Sequence, residues 1–442
     1  MTNLAWNVER VLPSAIADLH RLISIPSISS MPEHDADVAA CADAVSGLFR
    51  DLGASEVKLL DGGGKPAVWA NFPGPEGTPT VLLYAHYDVQ PTGDTDAWTS
   101  PAFEPTERDG RLYARGSADD KGGVALHVAA LRVFDGKPPV GVKVFIEGEE
   151  EVGSPSMPTL LDRYRDELAA DVYVVADSVN WEVGKPSLTT SLRGVADCQV
   201  TVSTLAEGLH SGQFGGVVPD ALTALCRLLA TLHDDAGNVA IEGLVTGTAP
   251  DLDYPEDRLL EETGLLEGVS QIGDGSVVER MWFKPAASVL AIDATPVAKA
   301  SNTLIPSARA KVSVRLVPGQ DPAAAAKALE EHLRRNAPWG AHVDVVAGQC
   351  GAPGRITLEG ERAEAAKTAF REAFGVDAVE IGCGGSIPIV AEFADRNPGA
   401  LVLVTAVTDP NSRMHGIDES LDLGDFAKAA LAETLLLNNL AG

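Results

Sequence analysis

Three short apolar runs, "TPTVLLYAH", "VKVFIEGEEE" and "DVYVVAD", constrain this chain more than any other feature. Each is rich in β-branched residues, reads as a buried strand, and stops at a residue able to bind a cation: His86, the triplet Glu149, Glu150 and Glu151, and Asp177. Between the first two lies "RGSADDKGGVALHVAALRVF", where Gly122 and Gly123 precede a helical pattern carrying Leu126, Ala130 and Val133. Strand, loop, helix, strand is the grammar of an α/β sheet. In open sheets of that kind functional groups gather beyond the carboxyl ends of the strands, where His86 and these acids fall.

Adjacent carboxylates raise one another's pKa unless cations keep them ionised. The triplet is therefore either spread into water on a turn or wrapped around something positive. "AHYDV" adds a geometric argument: residues i and i+2 of a strand face the same way, so Asp88 can reach the far nitrogen of His86 and fix its tautomer. A further strand, "ALVLVTAV", is followed eight residues later by His415. Two histidines with several carboxylates form a ligand set for zinc or a similar divalent ion, and the acids outnumber what one tetrahedral ion needs. Two metals sharing one bridging carboxylate would activate a water and polarise a carbonyl.

The pattern changes from about Ser191. "LRGVADCQVTVST" alternates as a strand, and "PDALTALCRLLATLH" reads as a helix with Pro219 in its first turn and Leu222, Leu225, Leu229 and Leu232 on one face. "ARAKVSVRLV", a helix opened by Asp321 and Pro322, and "HVDVVAG" complete a small α+β unit. After about Gly351 the α/β pattern resumes. The expected architecture is an α/β catalytic domain with a mixed central sheet, residues 1–190 plus 352–442, interrupted by an inserted α+β domain at 191–351.

With 63 acidic residues against 34 Lys and Arg, the net charge of −29 repels a phosphate backbone, which argues against nucleic acid as a partner. No stretch reaches the length of an apolar membrane span, and the start of the chain lacks the pattern of an export signal. Five scattered cysteines argue against a disulfide framework, so the expected location is the cytoplasm.

"AHYDV", "YARGSADDKGG", "EGEEEVGS", "VVADS", "GLHSGQFGG", "NTLIPS", "GGSIP" and "MHGIDE" occur in this order and cover nearly the whole chain. Together they resemble the M20 family of metallopeptidases, in particular its carnosinase-like cytosolic dipeptidase branch. The resemblance implies a zinc-hydrolase-type catalytic domain binding two divalent ions, zinc first with Mn or Co as alternatives: His86 and Asp177 on one, Glu151 and His415 on the other, Asp119 bridging. It implies a cis peptide between Asp119 and Asp120, Glu150 as general base, Asp88 orienting His86, and Glu149 as a bystander. His210 would be a ligand for the carbonyl oxygen in the transition state, reaching in related dimers into the neighbouring subunit's site. Arg315 would bind the substrate carboxylate, and Asn302, Gly385 and Ser386 would line the same pocket.

The expected reaction is hydrolysis of a dipeptide amide bond by a metal-bridging water, with a small peptide as substrate. The inserted domain would act as lid and homodimer interface. An N-acyl amino acid deacylase or desuccinylase of the same superfamily is the alternative, and a non-catalytic metal-binding scaffold is the alternative of another class. The remaining histidines, His127 among them, show no acidic partner at ligand spacing and receive no function.

Overall fold

The computed structural model describes residues 3–385 and 387–442. Its main strands are β1 (Glu56–Leu60), β2 (Ala67–Phe72), β3 (Thr80–His86), β4 (Gly141–Glu147), β5 (Val172–Val179), β6 (Gly194–Ser203), β7 (Ala286–Asp293), β8 (Ser307–Leu316), β9 (His342–Gly351) and β10 (Leu401–Thr408). The main helices are α1 (Asn3–Ile23), α2 (Asp35–Asp51), α3 (Lys121–Val133), α4 (Ala221–Ala230), α5 (Pro322–Arg335) and α6 (Leu423–Asn439). The chain divides into two compact units, the first built from residues 3–190, 356–381 and 388–442, and the second from residues 191–355 with the short turn that follows Ile381.

The first unit carries a six-stranded mixed sheet in the order β1-β2-β4-β3-β5-β10. β3 runs parallel to β4 and β5, and β5 to β10, while β1 and β2 are antiparallel additions at one edge. Near-continuous apolar sequence is what a strand covered on both faces requires; β3 is buried from Val81 to His86, and β4 from Val144 to Glu147. The register sets His86 beside Glu147 and Tyr84 beside Val175, so β3 and β4 end level while β5 runs on to Val179. Everything placed just beyond those ends is thereby brought together.

Helix α3 begins earlier than the sequence pattern indicates, because Gly122 and Gly123 belong to its first turn. The Asp120 carboxylate caps it by accepting the Gly123 N–H at 3.1 Å. Both glycines are demanded by close approach: a Cβ at Gly122 would meet the Ser117 carbonyl at 2.5 Å, and one at Gly123 the Asp120 carboxylate at 2.3 Å. Lys121, wholly buried, donates its ammonium to the Leu22 and Ile25 carbonyls at 2.9 and 2.7 Å, tying the end of α1 to this turn.

The second unit is an antiparallel sheet in the order β7-β8-β6-β9 with α4 and α5 packed on it. Its core joins Val200, Val202, Val312 and Val314 of the strands to Leu225, Leu228, Leu329 and Leu333 of the helices. Each such side chain contributes about 1.5–3 kcal/mol when fully buried. Pro219 stands outside α4 rather than in its first turn, because Asp220 takes the cap position and accepts the Thr223 N–H at 3.0 Å. That start turns Leu228 into the core and leaves Leu222 at its margin. Among the described residues, no helix is long and apolar enough to cross a membrane.

Candidate active site

His86 ends β3 and Asp177 lies near the end of β5, while Asp88, Asp119, Glu150 and Glu151 lie beyond the strand ends and His415 comes from the loop after β10. His86 is wholly buried and held from behind: its Nδ1 lies 3.0 Å from the Asp88 carbonyl and 3.4 Å from the Asp88 carboxylate. Its Nε2 is thereby turned forward, 3.1 Å from Asp119 Oδ1. The other Asp119 oxygen lies 3.1 Å from His415 Nε2, which is also 3.2 Å from Glu151 Oε2. One carboxylate thus faces two imidazoles with its two oxygens.

Asp88 has a second duty that the His-x-Asp spacing does not reveal. Its two oxygens accept the backbone N–H groups of Glu150 (3.2 Å) and Glu151 (3.1 Å), fastening the triplet's turn to the end of β3. That turn is a single 3₁₀ turn, Glu150–Val152, closed by Gly153 at φ +84°, a left-handed conformation that glycine adopts without strain. Gln90 also anchors it, its amide donating to Glu151 Oε2 at 2.8 Å.

Glu149 is buried and structural rather than an idle neighbour of the other two. Its carboxylate accepts the Lys65 N–H at 2.7 Å and the Ser156 N–H at 2.8 Å. A buried carboxylate satisfied by two backbone donors staples the turn to the segment before β2, and the Lys65 donor is 84 positions away in sequence. Behind it Glu147, also buried, accepts hydroxyl donations from Tyr84 (2.8 Å) and Ser154 (2.6 Å), and burial pushes its pKa up to about 8.

The electrostatics are those of an acid excess. Burial pushes Glu150 up to about 7 against the pull of His86, with repulsion from Glu151, Asp119 and Asp88 adding to it. Burial likewise raises Asp177 well above the usual carboxylate range, with repulsion from Glu150, Asp120 and Asp119 adding to it. Burial would raise Asp119 too, but hydrogen bonds with His415 and His86 outweigh it and hold that carboxyl far below its ordinary value. Those same bonds, from Asp119 first and then Glu151, lift His415 to about 10. Acids compressed together and imidazoles drawn toward the cationic form are relieved at once by divalent cations.

Two groups of side chains can offer ligand atoms within 4.8 Å of one another: His86, Asp120 and Asp177, and Asp119, Glu151 and His415. Asp120 is already engaged through both oxygens, with the Gly123 N–H and with the His86 N–H at 3.2 Å, and serves as a helix cap. Asp119 is left as the carboxylate that spans the groups. The donor set, neutral nitrogen and carboxylate oxygen with the rear nitrogen of His86 tied back, fits zinc and comparable ions. The Asp119–Asp120 peptide is cis, and His415 sits at φ +61°.

The remaining sequence-derived candidates belong to the second unit. His210 and Asn302 are exposed and adjacent: His210 pairs with Thr303, and the Ser211 N–H donates to the Asn302 carbonyl at 2.9 Å. The Gly212 N–H donates to His210 Nδ1 at 3.1 Å, which leaves Nε2 as the proton-bearing nitrogen. Arg315, half-buried on β8, pairs across the sheet with Val195 and Ala286, and Gly385 is half-buried in the turn after Ile381. Ser386 lies outside the described residues.

Arg193, which the sequence reading passed over, is buried. Burial and then the neighbouring Arg315 guanidinium push it down to about 10. Arg115 and Glu419, both buried, were passed over as well although they lie inside the motifs "YARGSADDKGG" and "MHGIDE". His127, given no partner from the sequence, lies 2.9 Å from the Glu433 carboxylate of α6.

Comparison with known proteins agrees with this geometry. The cysteinylglycine-S-conjugate dipeptidase of Corynebacterium striatum is 36% identical over 442 residues, covering 98% of this chain and 96% of that one. The Beta-Ala-His dipeptidase of Rattus norvegicus is 30% identical over 86% of this chain and 83% of its own. The fold is shared with two solved structures: the dipeptidase Dug1p of Saccharomyces cerevisiae (TM-score 0.86, 24% identity, 99% of this chain and 98% of that one) and human carnosine dipeptidase 1 (TM-score 0.84, 23% identity, 99% and 98%). Residues 82–439 match peptidase family M20/M25/M40, and with that match and a relative 36% identical over nearly the whole of both chains, the chain belongs to that family.

Proposed function

We propose that this protein is a dipeptidase working with two divalent cations, zinc in the first place. His86 and Asp177 would hold one, Glu151 and His415 the other, with Asp119 between them. The observation that carries this reading is the Asp119 carboxylate, whose two oxygens face His86 and His415 at 3.1 Å each. Bound there, the cations supply Lewis acidity toward the scissile carbonyl and make a water acidic enough to attack at neutral pH.

The chain's own residues do the rest. Glu150, uncommitted to any ligand role, takes the proton from the attacking water and passes it to the leaving amine, and its raised pKa suits both halves of that task. His210 offers its Nε2–H to the carbonyl oxygen as negative charge develops, a role supported by the Gly212 contact that selects this tautomer. Arg315 with Arg193 beside it concentrates positive charge for the free carboxylate of the substrate. Asn302, Gly385 and Ser386 complete the substrate pocket. A dipeptide rather than a longer chain is favoured by the dipeptidase names of the relatives that span the whole protein.

The inserted unit, residues 191–351, serves in this reading as lid and homodimer interface. Support comes from β7, an edge strand with Val289, Leu290 and Ile292 all exposed. All five cysteines are unpaired thiols, which suits a reducing cytoplasm.

The test is a panel of free dipeptides alongside N-acetyl and N-succinyl amino acids, assayed on chelator-stripped protein with Zn, Mn or Co restored. Metal-dependent turnover of free dipeptides is expected. Turnover confined to the blocked amino acids would replace the reading with a deacylase, and silence with metal bound would replace it with a scaffold.

A further inference from the structure

Glu419 sits four residues beyond His415, is fully buried, and gathers four donors on its two oxygens. Oε1 accepts the backbone N–H groups of Ala118 (2.9 Å) and of Asp119 itself (3.0 Å). Oε2 accepts the Gly116 N–H at 3.1 Å and an Arg115 guanidinium N–H at 2.6 Å. Arg115, 1% exposed, donates its other terminal nitrogen to the Gly416 and Pro91 carbonyls, both at 3.2 Å, with the Trp98 ring 5.5 Å away.

These two side chains therefore fasten three pieces of backbone to one another: the loop that delivers Asp119, the loop that delivers His415, and the segment that follows His86 and Asp88. The His415 loop needs such fastening. It holds Arg413, His415 and Asp418 at positive φ, conformations that non-glycine residues keep only where the surroundings impose them. Its other visible anchors lie at its flanks: Arg111 on Asp409 at 2.8 Å, and Asp418 accepting from the Thr99 N–H and hydroxyl at 2.9 and 2.7 Å.

We propose that Glu419, braced by Arg115, is a positioning residue that sets the separation of Asp119 and His415, and through it the ability of Asp119 to serve two cations at once. The proposal rests on the reading of this cluster as a two-metal centre. An aspartate has two side-chain torsions, so its oxygens follow its backbone, and that backbone hangs by its own N–H on Glu419.

Glu419→Gln is an isosteric probe with a definite consequence. However the amide is turned, its NH₂ end faces two donors that had shared an oxygen, either the Ala118 and Asp119 N–H groups or the Gly116 N–H and Arg115. The experiment titrates metal-stripped wild type, Glu419→Gln, Arg115→Lys and Glu433→Gln with Co²⁺ against a competing chelator, recording the visible spectrum of the bound ion and the thermal midpoint of each stripped protein. Glu433→Gln removes a buried carboxylate hydrogen-bonded to His127 rather than to any of the proposed ligands, and serves as the stability control.

Wild type is expected to take up two Co²⁺ ions. Glu419→Gln is expected to bind at least one of them about 10- to 100-fold more weakly with an altered spectrum, the loss typical when a partner of a metal ligand is removed. Glu433→Gln is expected to lower the midpoint with affinity and spectrum unchanged. Wild-type affinity and spectrum in Glu419→Gln, whatever its midpoint, would overturn the proposal. If that variant does not fold, Arg115→Lys decides: a weaker shift in the same direction supports the proposal and none overturns it. Fewer than two ions in wild type would instead remove the two-metal reading, and this proposal with it.

Discussion

His86 and His210 are both proposed to act on one reaction, yet they are held in opposite ways. His86 is wholly buried, its rear nitrogen tied by Asp88 and its forward nitrogen against Asp119. Around it Asp88, Asp120, Glu149 and Glu419 each accept backbone N–H groups, so the cluster is suspended from main chain. His210 stands exposed on a two-residue strand, with a hydrogen bond from Gly212 turning its ring. Arg315 and Arg193 repel each other in the same unit. The candidate ligands of the first unit are fixed by main-chain donors, whereas His210 of the second unit stands in water with one such hydrogen bond. A fixed arrangement suits cations that stay, and an accessible side chain suits a group that would meet a substrate as it enters.

The largest expected effect separates chemistry from metal binding within the first unit. Glu150→Gln should lower kcat by about 10²- to 10⁴-fold, the usual contribution of a positioned acid–base group, while metal content stays at the wild-type value. Unchanged turnover in a metal-loaded variant would remove Glu150 from the mechanism. His210→Ala, the matching change in the second unit, should cost about 10²- to 10³-fold in kcat, as loss of an oxyanion donor does, with Co²⁺ affinity unaltered. A change in metal affinity there would erase the contrast drawn between the two units.

How much of this was legible in the sequence follows from the range of each interaction. The clustering of His86, the glutamates and Asp177 at strand ends could be read because β-strand pattern and residue type lie in one local window, and the α/β class and the helix opened by Asp321 came from the same kind of signal. The fastening of the site could not be read. The Arg115–Glu419 contact spans 304 positions, and the Lys65–Glu149 contact spans 84. Glu149 therefore looked idle although it is stapled, and His127 looked partnerless although Glu433 lies 306 positions away. Pro219 falls outside α4 for a nearer reason: it precedes the cap residue Asp220, whereas Pro322 follows its cap Asp321 and enters the first turn.

Smaller effects probe the suspension itself. Glu149→Gln leaves one of two buried N–H donors facing an amide, so stability should fall by about 1–3 kcal/mol in denaturant unfolding. A neutral result would mean that the turn is held by Asp88 without it. The smallest effect is a pH dependence at the His127–Glu433 pair. Burial lowers the His127 pKa, but attraction to Glu433, the hydrogen bonds with Glu433 and the Tyr84 carbonyl, and attraction to Asp120 together exceed it, so the folded value lies above the ordinary one of about 6.5. The sign follows: this stabilisation is complete below about pH 6.5 and is lost as pH climbs through the raised folded pKa. The stability gap between wild type and Glu433→Gln should accordingly shrink from mildly acidic to alkaline buffer, and a gap that widened would show that His127 is neutral in the folded protein.

The most direct test of the two-cation claim is to titrate Zn²⁺ into chelator-stripped protein while following dipeptide hydrolysis and bound metal per chain together. The account predicts no turnover without metal and activity that keeps rising until the second equivalent is bound. Full activity in the stripped protein, or saturation of binding at one ion per chain, would contradict it.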